Sequence, residues 1–336
     1  MISYFNFYGI EVKLICDQIE LSKKLHKDFS FFKARSGEES SKKIVISAQA
    51  KKIEEYPFSP KVIRFQNSKV RIYEKDKVRI CSYSSSETPN KDEISISNLK
   101  KNKIEIFCTD LNRLHELTYL AILSRVGKAL DEIGLHRLHA MAAIKNETLY
   151  LGLMSSGVGK TTLLTHLLSE AEFSLVSDDS PLIDRKGRVY PFPIRMGFEA
   201  EGIIPPGWNE APFYTLNRKE YGLKKLVSIE DIKSPIGGEY NRIKLFKGER
   251  GFENAKLKPV SFLKVFKHIF EQGIIGVGLP ILFEYFWEFG PIDFLRKIKI
   301  FFSRSLSFYC LVKRSEVYEF QMSSEISENI KEMNRN

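Results

Sequence analysis

Cysteine is scarce in this chain of 336 residues, which has only four, at positions 16, 81, 108 and 310. They are scattered, without the density of a disulfide framework or the close spacing of metal ligands. We therefore expect a reduced protein in the cytoplasm. The chain also lacks a cationic start followed by an apolar run, so we expect no secretory signal.

Long apolar runs are missing as well. The most hydrophobic stretch, residues 274–289, is interrupted by Pro280, Glu284 and Glu288. A helix that spans a bilayer needs about 20 consecutive apolar residues. We therefore expect no membrane span and interpret this stretch as a buried or partly buried helical segment. Attachment to a surface, or a lid over a substrate, is the alternative, and the sequence leaves the role of this aromatic segment open.

Acidic residues are outnumbered, with 42 Asp and Glu against 52 Lys and Arg, which gives a formal net charge of +10. Such a balance would suit an acidic partner or nucleic acid. The basic residues are spread along the chain and no nucleic-acid-binding motif is recognisable, so we expect no nucleic acid partner. The basic segment 242–250 could recognise an acidic peptide or could be an exposed loop.

Hydrophobic patterning predicts an α/β fold in which a mainly β N-terminal domain, residues 1–108, precedes a larger domain, residues 109–322. Short apolar runs alternate with polar turns in the first part, which is typical of antiparallel strands: 8–16, 43–47, 62–65, 70–73, 78–83, 94–96 and 104–108. A helix is predicted from near Asp110 to a stop at Gly134. Residues 84–92 predict a polar loop, region 260–312 a mixture of helix and strand, and residues 323–336 a polar helical tail.

The most informative segment is Met154-Ser-Ser-Gly-Val-Gly-Lys-Thr161. It follows an apolar run that predicts a buried strand, and leucines on one helical face follow it. A strand, a glycine-containing turn and a helix N-terminus form the setting of a phosphate-binding loop, because backbone N–H groups and the helix dipole favour an anion. The residues that would surround the phosphates are Ser155, Ser156, Gly157, Val158, Gly159, Lys160, Thr161 and Thr162.

Individual residues of this loop suit a nucleoside triphosphate with Mg²⁺. The two glycines would let the main chain approach the phosphates. Lys160 would reach the β- and γ-phosphates, and the Thr161 hydroxyl would ligate Mg²⁺. Met154 stands where the usual pattern has glycine, which is tolerable if that position keeps a negative φ. An ordinary strand–turn–helix without a ligand is the alternative.

A pair of carboxylates, Asp178 and Asp179, ends the predicted strand 173–177. Adjacent side chains on a strand point to opposite faces. One carboxylate could therefore hold the metal while the other accepts a proton from a substrate hydroxyl. The alternative is a simple turn, since Asp-Asp-Ser-Pro favours one. His139 lies in the apolar run before the loop, where a histidine is more often part of a core than of an active site.

Taken together, four segments resemble the HPr kinase/phosphorylase superfamily, and specifically its smaller HPr-kinase-like serine kinases, some of which tailor ribosomally made peptides. The segments are Leu138-His-Ala140, Ser156–Thr162, Leu175–Asp179 and Tyr190-Pro-Phe-Pro193. Residues 258–266 also resemble the family's late core strand. The resemblance implies a P-loop core like the C-terminal domain of HPr kinase. It also implies an ATP-dependent kinase that phosphorylates a serine-type hydroxyl of a peptide, small protein or small molecule.

The same resemblance implies residue roles. Asp179 matches the catalytic base, Asp178 the metal-associated carboxylate and His139 the active-site histidine. Lys160 and Thr161 match the phosphate and magnesium contacts. The glycine-rich signature segment of the bifunctional enzymes is not recognisable here, which leaves a reverse phosphorylase activity and the expected homo-oligomer open.

Two other functions remain as alternatives. One is a P-loop ATPase or GTPase that drives a partner, although no arginine finger is recognisable in the sequence. The other is a nucleotide-binding regulatory module without turnover, which the presence of Asp179 disfavours. The sequence does not identify the phosphate acceptor.

Overall fold

The computed structural model of the chain describes residues 1–83, 91–202, 204, 208, 210–219 and 222–335. It is a mixed α/β protein with seven α-helices among these residues. The chain divides into two compact units. The first contains residues 1–129, 214–225 and 280–293, and the second contains residues 130–213, 226–279 and 294–336.

These bounds differ from the predicted division at residue 108. Most of the helix after residue 110 and two later segments belong to the first unit. Local patterning could not predict this, because segments distant in the sequence return to the first unit.

The first unit is built on one eight-stranded sheet. Its strands are β1 (Ile2–Phe7), β2 (Ile10–Cys16), β3 (Lys42–Gln49), β4 (Ile63–Gln66), β5 (Arg71–Lys75), β6 (Val78–Ser82), β7 (Glu93–Asn98) and β8 (Lys103–Cys108). Their spatial order is β1-β2-β3-β8-β7-β6-β5-β4. Only the pairs β2–β3 and β3–β8 are parallel. The sheet is therefore mainly antiparallel, as the alternating pattern predicts.

Two α-helices accompany this sheet, α1 (Ile19–Asp28) and α2 (Leu111–Ile133). The start of α2 is capped, because the Asp110 carboxylate accepts a hydrogen bond from the Arg113 backbone N–H at 2.9 Å. The helix ends at Gly134, which has φ of +83°. The structure thus has the predicted helix. By contrast, α1 was not predicted, and it forms the crossover that the parallel pair β2–β3 requires.

The remaining strands lie almost all in the second unit, and the longest of them are β18 with 11 residues and β20 with 8 residues. They are β9 (His136–Arg137), β10 (Met141–Lys145), β11 (Thr148–Leu153), β12 (Ser174–Ser177), β13 (Leu182–Ile183), β14 (Val189–Tyr190), β15 (Met196–Glu199), β16 (Tyr214–Arg218), β17 (Gly222–Val227), β18 (Arg242–Phe252), β19 (Lys256–Pro259) and β20 (Glu316–Ser323). Of these, six form the central sheet of the second unit, in the order β12-β10-β11-β18-β20-β19.

Helices cover both faces of this central sheet. They are α3 (Lys160–Glu170), α4 (Phe262–His268), the π-helix Ile269–Ile275, α6 (Pro291–Lys313) and α7 (Ile326–Arg335), while α5 (Phe283–Phe286) belongs to the first unit. Leucines of α3 and residues Ile330 and Met333 of α7 pack in one buried cluster with Phe246 of β18. On the other face, Val265 of α4 and Phe308 of α6 pack against β10, β11 and β18.

Several predictions for the last third of the chain need correction. Region 260–312 contains no strand among its described residues, and residues 258–266 are only in part a strand. Pro259 ends the edge strand β19, since proline cannot donate to the ladder, and Ser261 stands at the N-cap of α4. In stretch 274–289 only residues 274–275 and Phe283–Phe286 are helical, and Pro280 lies between these two helical pieces, because proline cannot continue a helix.

Two further expectations concern the same part of the chain. Across the described ranges, the helices are all too short or too polar to cross a membrane. The predicted terminal helix is present as α7, but it packs into the second unit's core instead of forming a separate tail. The loop prediction for residues 84–92 falls largely on 84–90, which lie outside the described residues.

Strand direction brings the ends of several strands to one edge of the central sheet. Strand β10 is antiparallel to both β11 and β12, so these two run in the same direction. Strand β18 is parallel to β11, and Leu153 at the end of β11 pairs with Lys247. The loop after β11, the carboxylates after β12, the residues before β10 and the last part of β18 therefore share this edge.

Met154, the unusual residue of the loop, is fully buried and keeps a negative φ. Space for its side chain comes from Gly248 on the neighbouring strand β18. A Cβ atom at Gly248 would lie 2.9 Å from Met154 Cγ. The loop thus has methionine in place of the usual glycine, and a glycine on the adjacent strand leaves room for the larger side chain.

We expect Gly248→Ala to destabilise the protein by about 1–3 kcal/mol, because the added methyl group overpacks against Met154. Urea denaturation monitored by circular dichroism measures this. The control is Met154→Ala combined with Gly248→Ala, which should lose less stability than the sum of the two single variants. Simple additivity would show that the two side chains do not compete for the same space.

Candidate active site

The loop between β11 and α3 has the backbone shape that its glycines allow. Gly157 and Gly159 have φ of +81° and +105°, in the left-handed region that side chains rarely adopt. The Val158 N–H donates to the Ser155 carbonyl at 3.3 Å and tightens the turn. Helix α3 then begins at Lys160, and the N–H groups of its first turn have no partner within the helix. The positive end of its dipole lies here.

Lys160 is the most constrained cation of this edge. Its side chain is 8 % exposed. The Nζ atom donates to the Met154 carbonyl at 2.8 Å, lies 2.9 Å from His139 Nε2 and is 3.8 Å from Asp179 Oδ1. Burial lowers the pKa of Lys160, and the two carboxylates, Asp179 and Asp178, oppose this by raising it. The site therefore holds a partly desolvated ammonium group next to acids.

His139 connects Lys160 to a carboxylate and to a distant glutamine. Its Nε2 atom lies 3.2 Å from Asp179 Oδ1. Its Nδ1 atom hydrogen-bonds Gln272 Oε1, and its backbone N–H donates to the Gln272 carbonyl at 3.0 Å. Because an amide oxygen only accepts, Nδ1 carries a proton. A neutral ring then accepts from Lys160 at Nε2, whereas a protonated ring would donate to Asp179.

The two carboxylates face different partners, as adjacent residues at a strand end should. Asp178 Oδ2 accepts a hydrogen bond from Thr161 Oγ1 at 3.0 Å, while Asp179 faces His139 and Lys160. The strand ends in an ordered turn, since Ser177 Oγ donates to the Phe192 carbonyl and accepts from the Ser180 N–H, both at 3.0 Å. The segment after β12 therefore forms a turn and also carries two carboxylates that contact other residues of the site.

The position of His139 differs from the prediction in one respect. The run 135–144 was expected to be a single strand that pairs with the loop-bearing strand. Instead it is divided into β9 and β10, and His139 lies between them. Only β10 pairs with β11, while β9 belongs to a small sheet with β13 and β14. This break frees His139 from a regular strand and lets its ring reach the loop.

Gln272 and Gly278 were not predicted from the sequence. Gln272 is buried on the π-helix Ile269–Ile275, a rare element that is found frequently at functional sites. Gly278 has φ of +93°, and a Cβ there would overlap the His139 ring. The only sequence signal was a concentration of glycines at 273, 276 and 278, where a helix was expected.

Arg250 was recognised only as part of a basic cluster. The structure separates the four members of that cluster, because segment 242–250 is a strand of the central sheet and not an exposed loop. Arg242 pairs with Glu316 at 2.9 Å, and Lys247 with Glu249 at 2.7 Å. Lys244 lies over the Tyr150 and Tyr318 rings. The Arg250 guanidinium, by contrast, lies 3.8 Å from the place of a Cβ on Gly159.

Preformed metal clusters are absent from the part of the chain that the structure describes, where no three His, Cys, Asp or Glu side chains are grouped to hold an ion. The oxygen pair of Thr161 and Asp178 at the start of α3 is what this edge offers to a cation.

Comparison with known proteins does not assign the chain to a family. No protein-family model matches the chain, and no curated protein shows significant similarity to it. Function is therefore inferred from these residues, their geometry and the resemblance of the four segments.

We expect Gln272→Leu to release the His139 ring from its present tautomer, because the variant removes the acceptor of the Nδ1 proton. A lost hydrogen bond of about 1 kcal/mol corresponds to a change of about fivefold in the tautomer ratio. Long-range ¹⁵N–¹H correlation spectra of the imidazole nitrogens measure this ratio. Gln49→Leu, on β3 of the first unit, is the matched control. An unchanged Nδ1–H form in Gln272→Leu would contradict the assigned role.

Proposed function

We propose that the second unit binds ATP with Mg²⁺ at residues 155–162 and transfers the γ-phosphoryl group to a serine-type hydroxyl. The acceptor would belong to a peptide, small protein or small molecule, as in HPr-kinase-like serine kinases. The observation that carries the proposal is the meeting of Lys160, His139 and Asp179 beside the N-terminus of α3, within 2.9–3.8 Å of one another.

Phosphate binding is supported by the loop and two cations. The glycine backbone and the first N–H groups of α3 present donors and the positive end of the helix dipole. Among the residues that the structure describes, the contacts of Lys160 Nζ are with a neutral carbonyl, an imidazole and a carboxylate oxygen at 3.8 Å. A triphosphate offers stronger, charge-assisted hydrogen bonds. Arg250, beside Gly159, would add a second positive charge.

The oxygen atoms of Thr161 and Asp178 fit a magnesium ion. They are 3.0 Å apart. Mg²⁺ prefers one or two protein oxygen ligands together with substrate phosphates and waters. When bound, the ion would neutralise charge on the phosphates during transfer. Both residues offer the type of oxygen ligand that Mg²⁺ prefers. To bind the ion, the hydroxyl of Thr161 would turn from Asp178 towards it.

Asp179 suits the role of the base because it combines access with positioning. Its side chain is 33 % exposed, so an acceptor hydroxyl can approach it, while the Lys160 ammonium group lies 3.8 Å from one carboxylate oxygen and the His139 ring lies beside the same oxygen. The hydroxyl proton would pass to Asp179, the acceptor oxygen would bond to the γ-phosphorus, and ADP would leave. Most of the catalysis in such a reaction comes from positioning and charge neutralisation.

Arg250 also favours a second candidate, a P-loop ATPase or GTPase that drives a partner. An arginine beside a phosphate-binding loop could act in cis as an arginine finger. The two functions differ in the fate of the phosphoryl group. Stable label on an acceptor supports the kinase, whereas phosphate released without an acceptor supports the hydrolase.

We expect Asp179→Asn to lower phosphoryl transfer by about 10²–10⁴-fold, because the amide cannot accept the hydroxyl proton. Transfer of label from γ-³²P-ATP to serine-bearing peptides and to free serine measures activity, and equilibrium binding of an ATP analogue should change little. Asp184→Asn, in a turn of the same unit, is the matched control. Full transfer activity in Asp179→Asn would disprove the base assignment.

We expect ATP binding to weaken as the pH rises through the lowered pKa of Lys160 in the free protein. Below that pKa the ammonium group is already present. Above it, binding must take up a proton, and affinity falls by up to about tenfold per pH unit. Binding of a non-hydrolysable ATP analogue in a pH series from neutral up to the ordinary pKa of lysine, about 10.4, measures this.

Lys160→Arg is the control, because arginine does not titrate in this range. The variant should therefore show a flatter pH profile than the wild-type protein. Equal slopes for the two proteins would mean that Lys160 does not bind the phosphates as an ammonium group.

A further inference from the structure

Helix α6 exposes an apolar face along most of its length. The outward residues Phe294, Leu295, Ile298, Phe301, Phe302, Leu306 and Tyr309 recur at helical spacing and are between 38 % and 66 % exposed. The opposite face of the helix is also apolar, and its residues Ile300, Phe308 and Leu311 are buried. A helix that is apolar on both faces is normally enclosed on both. The inward face is covered by the central sheet, and the outward face faces solvent.

Neighbouring segments extend this surface. Helix α4 and the residues after it expose Phe262, Leu263, Phe266, Phe270, Ile275 and Val277. They belong to the same layer as α6, because Phe308 packs against Gly273 and the Arg304 guanidinium donates to the Gly273 and Ile274 carbonyls at 3.2 Å. We call the exposed residues of both segments the apolar helical surface. Many exposed large apolar residues within one helical layer are typical of an interaction site.

The charges around the apolar helical surface are mostly positive. Exposed lysines on the same helices are Lys264, Lys267, Lys299 and Lys313. Glu271 is the acidic residue of the π-helix, and its carboxylate lies 3.9 Å from Lys267 Nζ. Phenylalanine and leucine flanked by lysine is the composition of helices that lie in the interface of an anionic bilayer. The net charge of +10 adds a long-range attraction to such a surface.

We propose that the apolar helical surface rests on an anionic lipid bilayer as an interfacial, non-spanning contact. The aromatic and leucine side chains enter the boundary between headgroups and acyl chains, and the lysines contact lipid phosphates. A second copy of the chain fits less well. A two-fold interface would bring identical lysine-rich borders together, and like charges oppose such a contact.

The position of this surface links it to the candidate site. Gln272, which contacts His139, lies on the π-helix between the exposed residues Phe270 and Ile275. A bilayer at the apolar helical surface would therefore touch the element that holds the His139 ring. The lipid contact itself does not depend on the proposed kinase activity.

Sedimentation of the full chain with lipid vesicles tests the proposal. We expect strong binding to vesicles of phosphatidylcholine with phosphatidylserine, weak binding to phosphatidylcholine alone, and loss of binding at high salt. Leu295→Glu combined with Phe302→Glu should lower the vesicle-bound fraction about tenfold or more. Its melting temperature should not fall, since both side chains are more than 60 % exposed.

Val62→Glu is the matched control, because Val62 is an equally apolar residue that is 81 % exposed in the first unit. It should bind vesicles like the wild-type protein. Three results would overturn the proposal: no binding of the wild-type chain to anionic vesicles, equal binding to neutral vesicles, or unchanged binding of the double variant. A wild-type dimer that the double variant dissociates, without vesicle binding, would instead assign the surface to a contact between copies.

Discussion

The buried ammonium group of Lys160 is the constraint on which the candidate site depends. A charged group removed from water is costly unless nearby polar groups compensate it. Here the Met154 carbonyl, His139 and Asp179 do so from three separate segments. Each of them is in turn held by the fold: Met154 by the room at Gly248, His139 by Gln272, and Asp179 by the turn after β12.

The central sheet makes this convergence possible. Because β10 lies antiparallel between β11 and β12, the ends of those two strands and the start of β10 share one edge. The parallel strand β18 adds Arg250 to the same edge. The cation, the imidazole, the carboxylate pair and the guanidinium are thus brought together from four separate parts of the sequence. The π-helix then joins the site to the helical layer on the other side of the sheet, where the apolar helical surface lies.

Much of the local structure could be predicted. The apolar runs of the first 108 residues correspond to β2–β8, and Asp110 and Gly134 bound α2 because capping is a local interaction. The strand before the loop, the helix after it and the carboxylates after β12 also follow from short-range patterns. Predictions failed where the residues are compatible with either a helix or a strand, or where a helix carries little apolar pattern. Aromatic residues in 260–312 are compatible with helix or strand, and helix α1 has few apolar residues to mark its face.

The sequence by itself determined which chemical groups are present and how the chain around each of them is shaped. The loop with its glycines, the lysine at the helix start and the paired aspartates were all recognisable, because their spacing is short and their backbone requirements are local. Only the tertiary structure decided that Gln272 holds His139, that Arg250 lies beside Gly159 and that Gly248 accommodates Met154. These contacts join residues about a hundred positions apart, and strand order and direction, which arise from packing of the whole sheet, bring them together.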